Sequence, residues 1–246
     1  KMNQTIENLI KHVSVRDFKD ETISENTKEE LIKAAQSGST SEFVQAFSII
    51  EITDPDLRNQ LSDITISSPH VKKADTFYIF IADLNRQATM LKQHNQSLDS
   101  IKNMESLLVA TVDTTIAAQN MAVAAESMGL GICYIGSIRN NIKQVAELLN
   151  LPKYTFPLFG MTIGVPKVLN QTKPRLPMSN RVSKNTYDNQ LFNDLSTYDK
   201  EVKDYYSNRK TNPQDTTWTE KNLTIFNHVH RPEVADFLLE QGFSLH

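Results

Sequence analysis

Apolar residues recur along this chain at two spacings, and each change of period marks the end of one element and the start of another. Ile6, Leu9, Ile10 and Val13 fall at helical spacing and predict an amphipathic helix running into His12. Thr27, with Glu30 three positions on, reads as a capping box opening a helix that carries Leu31, Ile32, Ala34 and Ala35. The small polar run Ser37-Gly38-Ser39-Thr40-Ser41 breaks that pattern. Residues 45–53, with Phe47, Ile49, Ile50 and Ile52, read as a strand, and Asp54-Pro55 supplies an N-cap and a first-turn proline for a short helix. Residues 76–82 are almost wholly apolar, as a strand covered on both faces requires.

Residues 106–128 form the longest helical stretch, apolar on more than one face and ended by Gly129. Such a helix is either the central core helix or packs on two neighbours, one of them from another subunit. A short strand over 132–135, a helix over 141–149 and a strand over 156–165 follow. Strands separated by helices predict a layered α/β or α+β domain. Beyond Val165 the texture becomes polar and proline-bearing, with helices expected near 191–208, 218–228 and 232–240. This last third has too little apolar surface for a separate core and is expected to wrap around the first part, a single domain with a core over about 1–166 and a wrapping segment over about 167–246.

Composition narrows the function classes. With 246 residues, 39% of them hydrophobic and a net charge of −3, the chain has the profile of a globular protein without a nucleic-acid or anionic-membrane partner. No uninterrupted apolar run reaches the roughly 20 residues of a membrane-spanning helix, and the first residues show no signal-peptide pattern. The single cysteine, Cys133, excludes an internal disulfide and favours a reducing, cytoplasmic setting.

Two basic motifs stand out against this mildly acidic background. His12, Ser14 and Arg16 alternate with Val13 and Val15, so in an extended segment they share one side and can hold an anion through charge-assisted bonds; a solvated loop has the same look. Lys173-Pro174-Arg175 places two cations across a proline-stiffened turn, either a pre-organised anion grip or a basic surface loop. The glycines at 129, 131 and 136 follow a helix and precede a strand, the reverse of a dinucleotide fingerprint; Gly136 is where backbone can approach a flat ligand. His228-Val229-His230 lacks further ligands at metal-site spacing, no Gly-x-Ser-x-Gly elbow is present, and Cys133 sits in an apolar strand as a small hydrophobe.

In order along the chain stand HVSVRDF at 12–18, SGSTSEFVQAFSII at 37–50, AAESMGLGICYIGSIRNN at 124–141, TFPLFGMTIGVP at 155–166, KPRLP at 173–177 and TW at 217–218. Together these resemble the NADPH-dependent nitroreductase and flavin reductase family, in its larger-subunit group, over essentially the whole chain. The resemblance implies an α+β, three-layer fold with a mixed central sheet flanked by helices. It also implies a homodimer with a C-terminal excursion wrapping the pair, and FMN tightly bound in two sites at the subunit interface. It assigns His12, Lys173 and Arg175 to the FMN phosphate, Ser14 to the phosphate or ribityl chain, and Arg16 to the flavin N1 and O2 edge, with Val13 and Val15 in the same binding segment. It lays the backbone of Tyr134, Ile135, Gly136 and Ser137 along the flavin, and brings Thr40 and Ser41 over it in a closing loop.

Two positions depart from the family's pattern. Ser68 stands where a glutamine usually meets the flavin ring. Arg209 retains one of two cations used for the NADPH 2′-phosphate, the second falling on Pro213 or Gln214. The activity implied is NADPH-dependent oxidoreduction, with NADH as an alternative donor and nitroaromatics, quinones or free flavin as small-molecule acceptors. The alternative is a non-enzymatic FMN-binding or sensing protein of the same fold.

Overall fold

The computed structural model describes residues 1–246, which fall into two compact units: residues 1–170 with 231–246, and residues 171–230. The first unit is built on a four-stranded sheet of β1 (Phe47–Glu51), β2 (Thr76–Asp83), β3 (Gly131–Ile135) and β4 (Thr155–Gly164), in the spatial order β1-β2-β4-β3. Its helices are α1 (Gln4–Ile10), α2 (Glu25–Gln36), α3 (Pro55–Ile64), α4 (Ser68–Lys73), α5 (Asn85–Gln93), α6 (Asp99–Lys102), α7 (Met104–Ser127) and α8 (Ile142–Leu148), with a C-terminal Val234–Glu240 helix returning to the same unit.

Strand alternation creates the layers. Along β2, Tyr78 and Phe80 point into a cluster with Ala117, Ala118, Met121 and Ala122 of α7 and Leu31 and Ala35 of α2. Phe77, Ile79 and Ile81 point the other way, against Leu61 of α3, Val71 of α4 and Val145 of α8. Every residue of β2 is buried, which explains its unbroken apolar sequence. The result is helix–sheet–helix, the three layers expected of an α+β domain. One detail differs: each strand pairing in this chain is antiparallel, so the sheet is not mixed. β2 and β3 do run in the same direction, but β4 returns between them, and no parallel neighbours form.

Helix boundaries follow capping chemistry. α3 begins as expected, with the Asp54 side chain accepting from the Asp56 N–H and Pro55 in the first turn. α2 begins earlier than the Thr27–Glu30 pattern predicts. Ser24 is the N-cap, accepting from the Thr27 N–H, and Thr27 is already helical. α4, α5 and α6 carry short or weak periodic patterns and were not visible as separate helices.

α7 is the core helix, packing on α2 and all four strands. By length and mean hydropathy alone it is apolar enough to cross a membrane, yet nine of its residues are buried within this fold, Asp113 among them. Gly129 stops it with φ +79°, and the Leu130 N–H reaches back to the Ala125 carbonyl at 3.0 Å.

The chain before α2 is docked on β3. The Val15 N–H donates to the Ile132 carbonyl at 2.9 Å, and Val15 packs with Phe18, Ala74 and Val13. Gly131 makes this approach possible, because a Cβ there would lie 2.6 Å from Val15 Cγ2.

The second unit contains α9 (Asn189–Phe192), α10 (Ser196–Ser207) and α11 (Trp218–Ile225) around a small core of Tyr198, Val202 and Tyr206, with Leu176, Tyr205 and Trp218 packed against it. Thr217 and Glu220 close a reciprocal capping box on α11. The single helix expected near 191–208 is split into α9 and α10 by Asn193, Asp194 and Leu195.

Gly131→Ala is expected to destabilise the protein by about 1–3 kcal/mol, the usual cost of overpacking. Urea denaturation checks this, and a midpoint equal to that of the parent protein would contradict the close approach.

Candidate functional site

The expected site residues are distributed over both units. In the first unit, Val13 and Val15 turn into the small apolar cluster beneath the 12–18 segment, while Arg16 is exposed. His12 is held from one side: its Nδ1 lies 2.8 Å from Glu126 Oε1 and 3.0 Å from Oε2. Ser14 lies between, partly buried.

The charge of Arg16 reaches two neighbours. Burial lowers the pKa of His70, and Arg16 lowers it further; the Nε2 of this imidazole is buried without a hydrogen-bond partner. Burial raises the Cys133 thiol above its usual range, against a smaller opposing pull from Arg16. Both groups are therefore biased towards their neutral forms: His70 is a poor cation and Cys133 a poor thiolate. Ser68, the first residue of α4, has its hydroxyl 2.9 Å from that of buried Ser62.

Tyr134, Ile135, Gly136 and Ser137 run from the end of β3 into a single-turn helix over Gly136–Asn141. The Tyr134 hydroxyl donates to Gln119 Oε1 at 3.0 Å, and its ring meets Phe159 edge-on. Burial raises the pKa of that phenol, and Glu126 adds to the effect. A Cβ on Gly136 would meet the Arg139 guanidinium at 3.6 Å, an ordinary van der Waals contact, so this backbone is covered by that side chain.

Thr40 and Ser41 open a loop in which Glu42, Phe43 and Gln45 all have positive φ. Such conformations cost about 1–3 kcal/mol each and persist where the surroundings enforce them. Here the enforcement comes from Asp113, whose buried carboxylate accepts from the Ser41 N–H at 3.1 Å and the Ala46 N–H at 3.0 Å.

In the second unit, Lys173, Pro174 and Arg175 border a cavity of about 280 Å³ that Tyr198, Tyr206, Trp218 and Lys221 also line. The Tyr198 hydroxyl donates to the Pro174 carbonyl at 2.7 Å and pins the loop. Arg209 lies over the rings of Tyr205 and Tyr206, 5.9 and 5.3 Å from their centroids. Two cations on a pinned turn are the kind of donors that a phosphate ester takes. The chemistry of both donor sets fits a phosphorylated, flat, aromatic cofactor.

Sequence reading missed Glu126, Asp113 and Ser62. A signal for the first two was present, since they are the only charged residues in the apolar stretch 106–128. An acid kept in such a helix implies a partner.

Comparison with known proteins matches residues 9–165 to the Nitroreductase family and residues 173–246 to its C-terminal domain. The chain is 39% identical to an FMN reductase (NADPH) of Bacillus subtilis (strain 168), over 99% of each chain. It is 41% identical, again over 99% of each, to an oxygen-insensitive NADPH nitroreductase of Salmonella typhimurium (strain LT2). Its fold superposes on a solved nitroreductase from B. subtilis with a TM-score of 0.93 at 38% identity, covering 98% of this chain and 99% of the other. An NADPH:FMN oxidoreductase from Vibrio harveyi, solved with NAD⁺, gives 0.88 at 34%, covering 99% of this chain and all of that one. With both of its segments matched and full-length relatives on either side, the chain belongs to the nitroreductase family.

Proposed function

We propose that this chain is an FMN-dependent NAD(P)H oxidoreductase that carries out two-electron reduction of nitroaromatics, quinones or free flavin in a ping-pong cycle. The observation that carries this reading is the pair of anion-binding donor sets: His12, Ser14 and Arg16 beside β3, and Lys173 and Arg175 on the pinned turn of the second unit. The names of full-length relatives, an NADPH-dependent FMN reductase and an NADPH nitroreductase, support it.

FMN, when bound, accepts hydride from NAD(P)H and delivers electrons to the acceptor. The protein's own residues bind and orient. His12, Ser14, Lys173 and Arg175 hold the phosphate through charge-assisted bonds. Arg16 offers a fixed cation at the ring edge where reduction adds negative charge, and a preorganised charge there costs no reorganisation during the reaction. The backbone of Tyr134, Ile135, Gly136 and Ser137 would lie along the ring. Thr40 and Ser41 close over it. Arg209, held on two tyrosine rings, receives the NADPH 2′-phosphate.

Neither His70 nor Cys133 is poised as an acid, base or nucleophile. Catalysis by positioning and electrostatics, with the cofactor carrying the hydride, suits such a site.

A homodimer belongs to the same proposal. α1 has no buried residue, and its Ile6, Leu9 and Ile10 are exposed, as are Leu108 and Val112 on α7. Apolar helix faces of this kind are covered in oligomers. The second subunit completes the site in a cytoplasmic enzyme, with residues 171–230 as the part of the C-terminal segment that reaches the partner, while 231–246 stay in the first unit. The rival reading, an FMN-binding or sensing protein without turnover, has in its favour the Ser68 hydroxyl, which is turned towards Ser62.

Purified protein is expected to be yellow, or to become so with added FMN, and its absorbance to bleach anaerobically with NADPH; a protein that cannot be reconstituted contradicts the proposal. Turnover with NADPH and a quinone is expected, and its absence in a flavin-loaded sample would favour the sensing alternative. Arg16→Ala should retain FMN but slow its reduction by about a hundredfold in stopped-flow traces. Leu108→Asp with Val112→Asp should convert the dimer into monomer by light scattering, and an unchanged mass would place the interface elsewhere.

A further inference from the structure

Glu126 stands in the last turn of α7, an otherwise apolar helix. Two physical effects oppose it there. The carboxylate faces the negative end of the helix dipole, and burial strips part of its hydration. Only 19% of its side chain is exposed, and both oxygens close on His12 Nδ1, at 2.8 and 3.0 Å. No cation in the last turn of α7 shares the load.

This contact settles which face of the imidazole is free. With Nδ1–H given to Glu126, Nε2 is the nitrogen left to meet a ligand. The backbone holds the other end of the same segment, through the Val15 N–H on Ile132, so ring and main chain are both anchored to the α7–β3 corner.

We propose that Glu126 is a positioning residue for cofactor binding: it holds the His12 ring by Nδ1 so that the Nε2 edge is presented to the FMN phosphate. The inference rests on the reading of His12 as a phosphate ligand. It predicts an effect centred on the phosphate, because the Glu126 carboxylate closes on His12, while its influence on Tyr134 is that of its charge on the phenol.

Riboflavin shares the ring and ribityl chain of FMN and lacks the phosphate, so the two ligands separate a phosphate effect from a general one. The full-length chain, stripped of flavin, is titrated with each by fluorescence quenching, after thermal melts confirm that every variant folds. Glu126→Ala is expected to weaken FMN binding about tenfold, the loss of one charge-assisted bond, with riboflavin unchanged. Glu126→Gln keeps an oxygen for Nδ1–H and should recover part of that loss; it also serves as the test should the alanine variant fail to fold. His12→Ala should show the same FMN-selective loss, and the double variant should be no worse than the worse single one, since both remove one interaction. If the Glu126 variants weaken FMN and riboflavin alike, or neither, while His12→Ala is FMN-selective, Glu126 has no positioning role. If His12→Ala is itself not selective, the phosphate assignment of His12 fails, and this inference fails with it.

Discussion

The packing of α7 against the sheet is the constraint on which the rest of the first unit depends. Ala117, Ala118, Ala122 and Ala125 let the helix lie close to β2, β3 and β4, with Met121 filling the gap at Tyr78 and Met161. Its few polar residues then act as fixed anchors on a rigid rod. Asp113 holds the loop after Thr40, Gln119 takes the Tyr134 hydroxyl, Asn120 donates to the Ala34 carbonyl of α2, and Glu126 grips His12. At 1.5 Å per residue, Asp113 and Glu126 stand about 20 Å apart along the axis, so one helix sets the separation of two site elements. Loops carrying positive φ residues and solvent-facing cations gain their order from this rod rather than from their own sequence.

The electrostatics follow the same economy. Arg16 is exposed, yet its charge acts on His70 and Cys133 beneath it, and burial already biases both towards neutrality. An exposed cation thus stands where an anionic cofactor edge is proposed to lie, beside two side chains biased towards neutrality. In the second unit, aromatic rings do the work that the helix does in the first. Tyr198 pins the Pro174 carbonyl, and Tyr205 with Tyr206 carries Arg209.

Much of this was legible beforehand where local and tertiary preferences agree. β2 could be read from its apolar run, α3 from Asp54-Pro55, and the end of α7 from Gly129. The start of α2 was misread because Ser24 and Thr27 both qualify as caps, and only the three-dimensional path selects between them. The antiparallel pairing of the strands was not readable either, since periodicity gives strands but not their neighbours. At the site, spacing alone leaves residues 12–16 and 173–175 as either grips or loops, and it is the order of the motifs that makes a grip the reading proposed. Glu126 and Asp113 were the opposite case. Each was visible as a charge inside an apolar helix, but its partner lay far away in sequence, where only the fold brings them together.

The central proposal is that Lys173 and Arg175 help to hold the FMN phosphate. Lys173→Ala and Arg175→Ala test it most directly, because they lie far in sequence from His12 and in the other unit. Measured as the ratio of FMN to riboflavin dissociation constants in the full chain, each is predicted to raise that ratio about tenfold. A ratio left at the parent value in both would contradict the account.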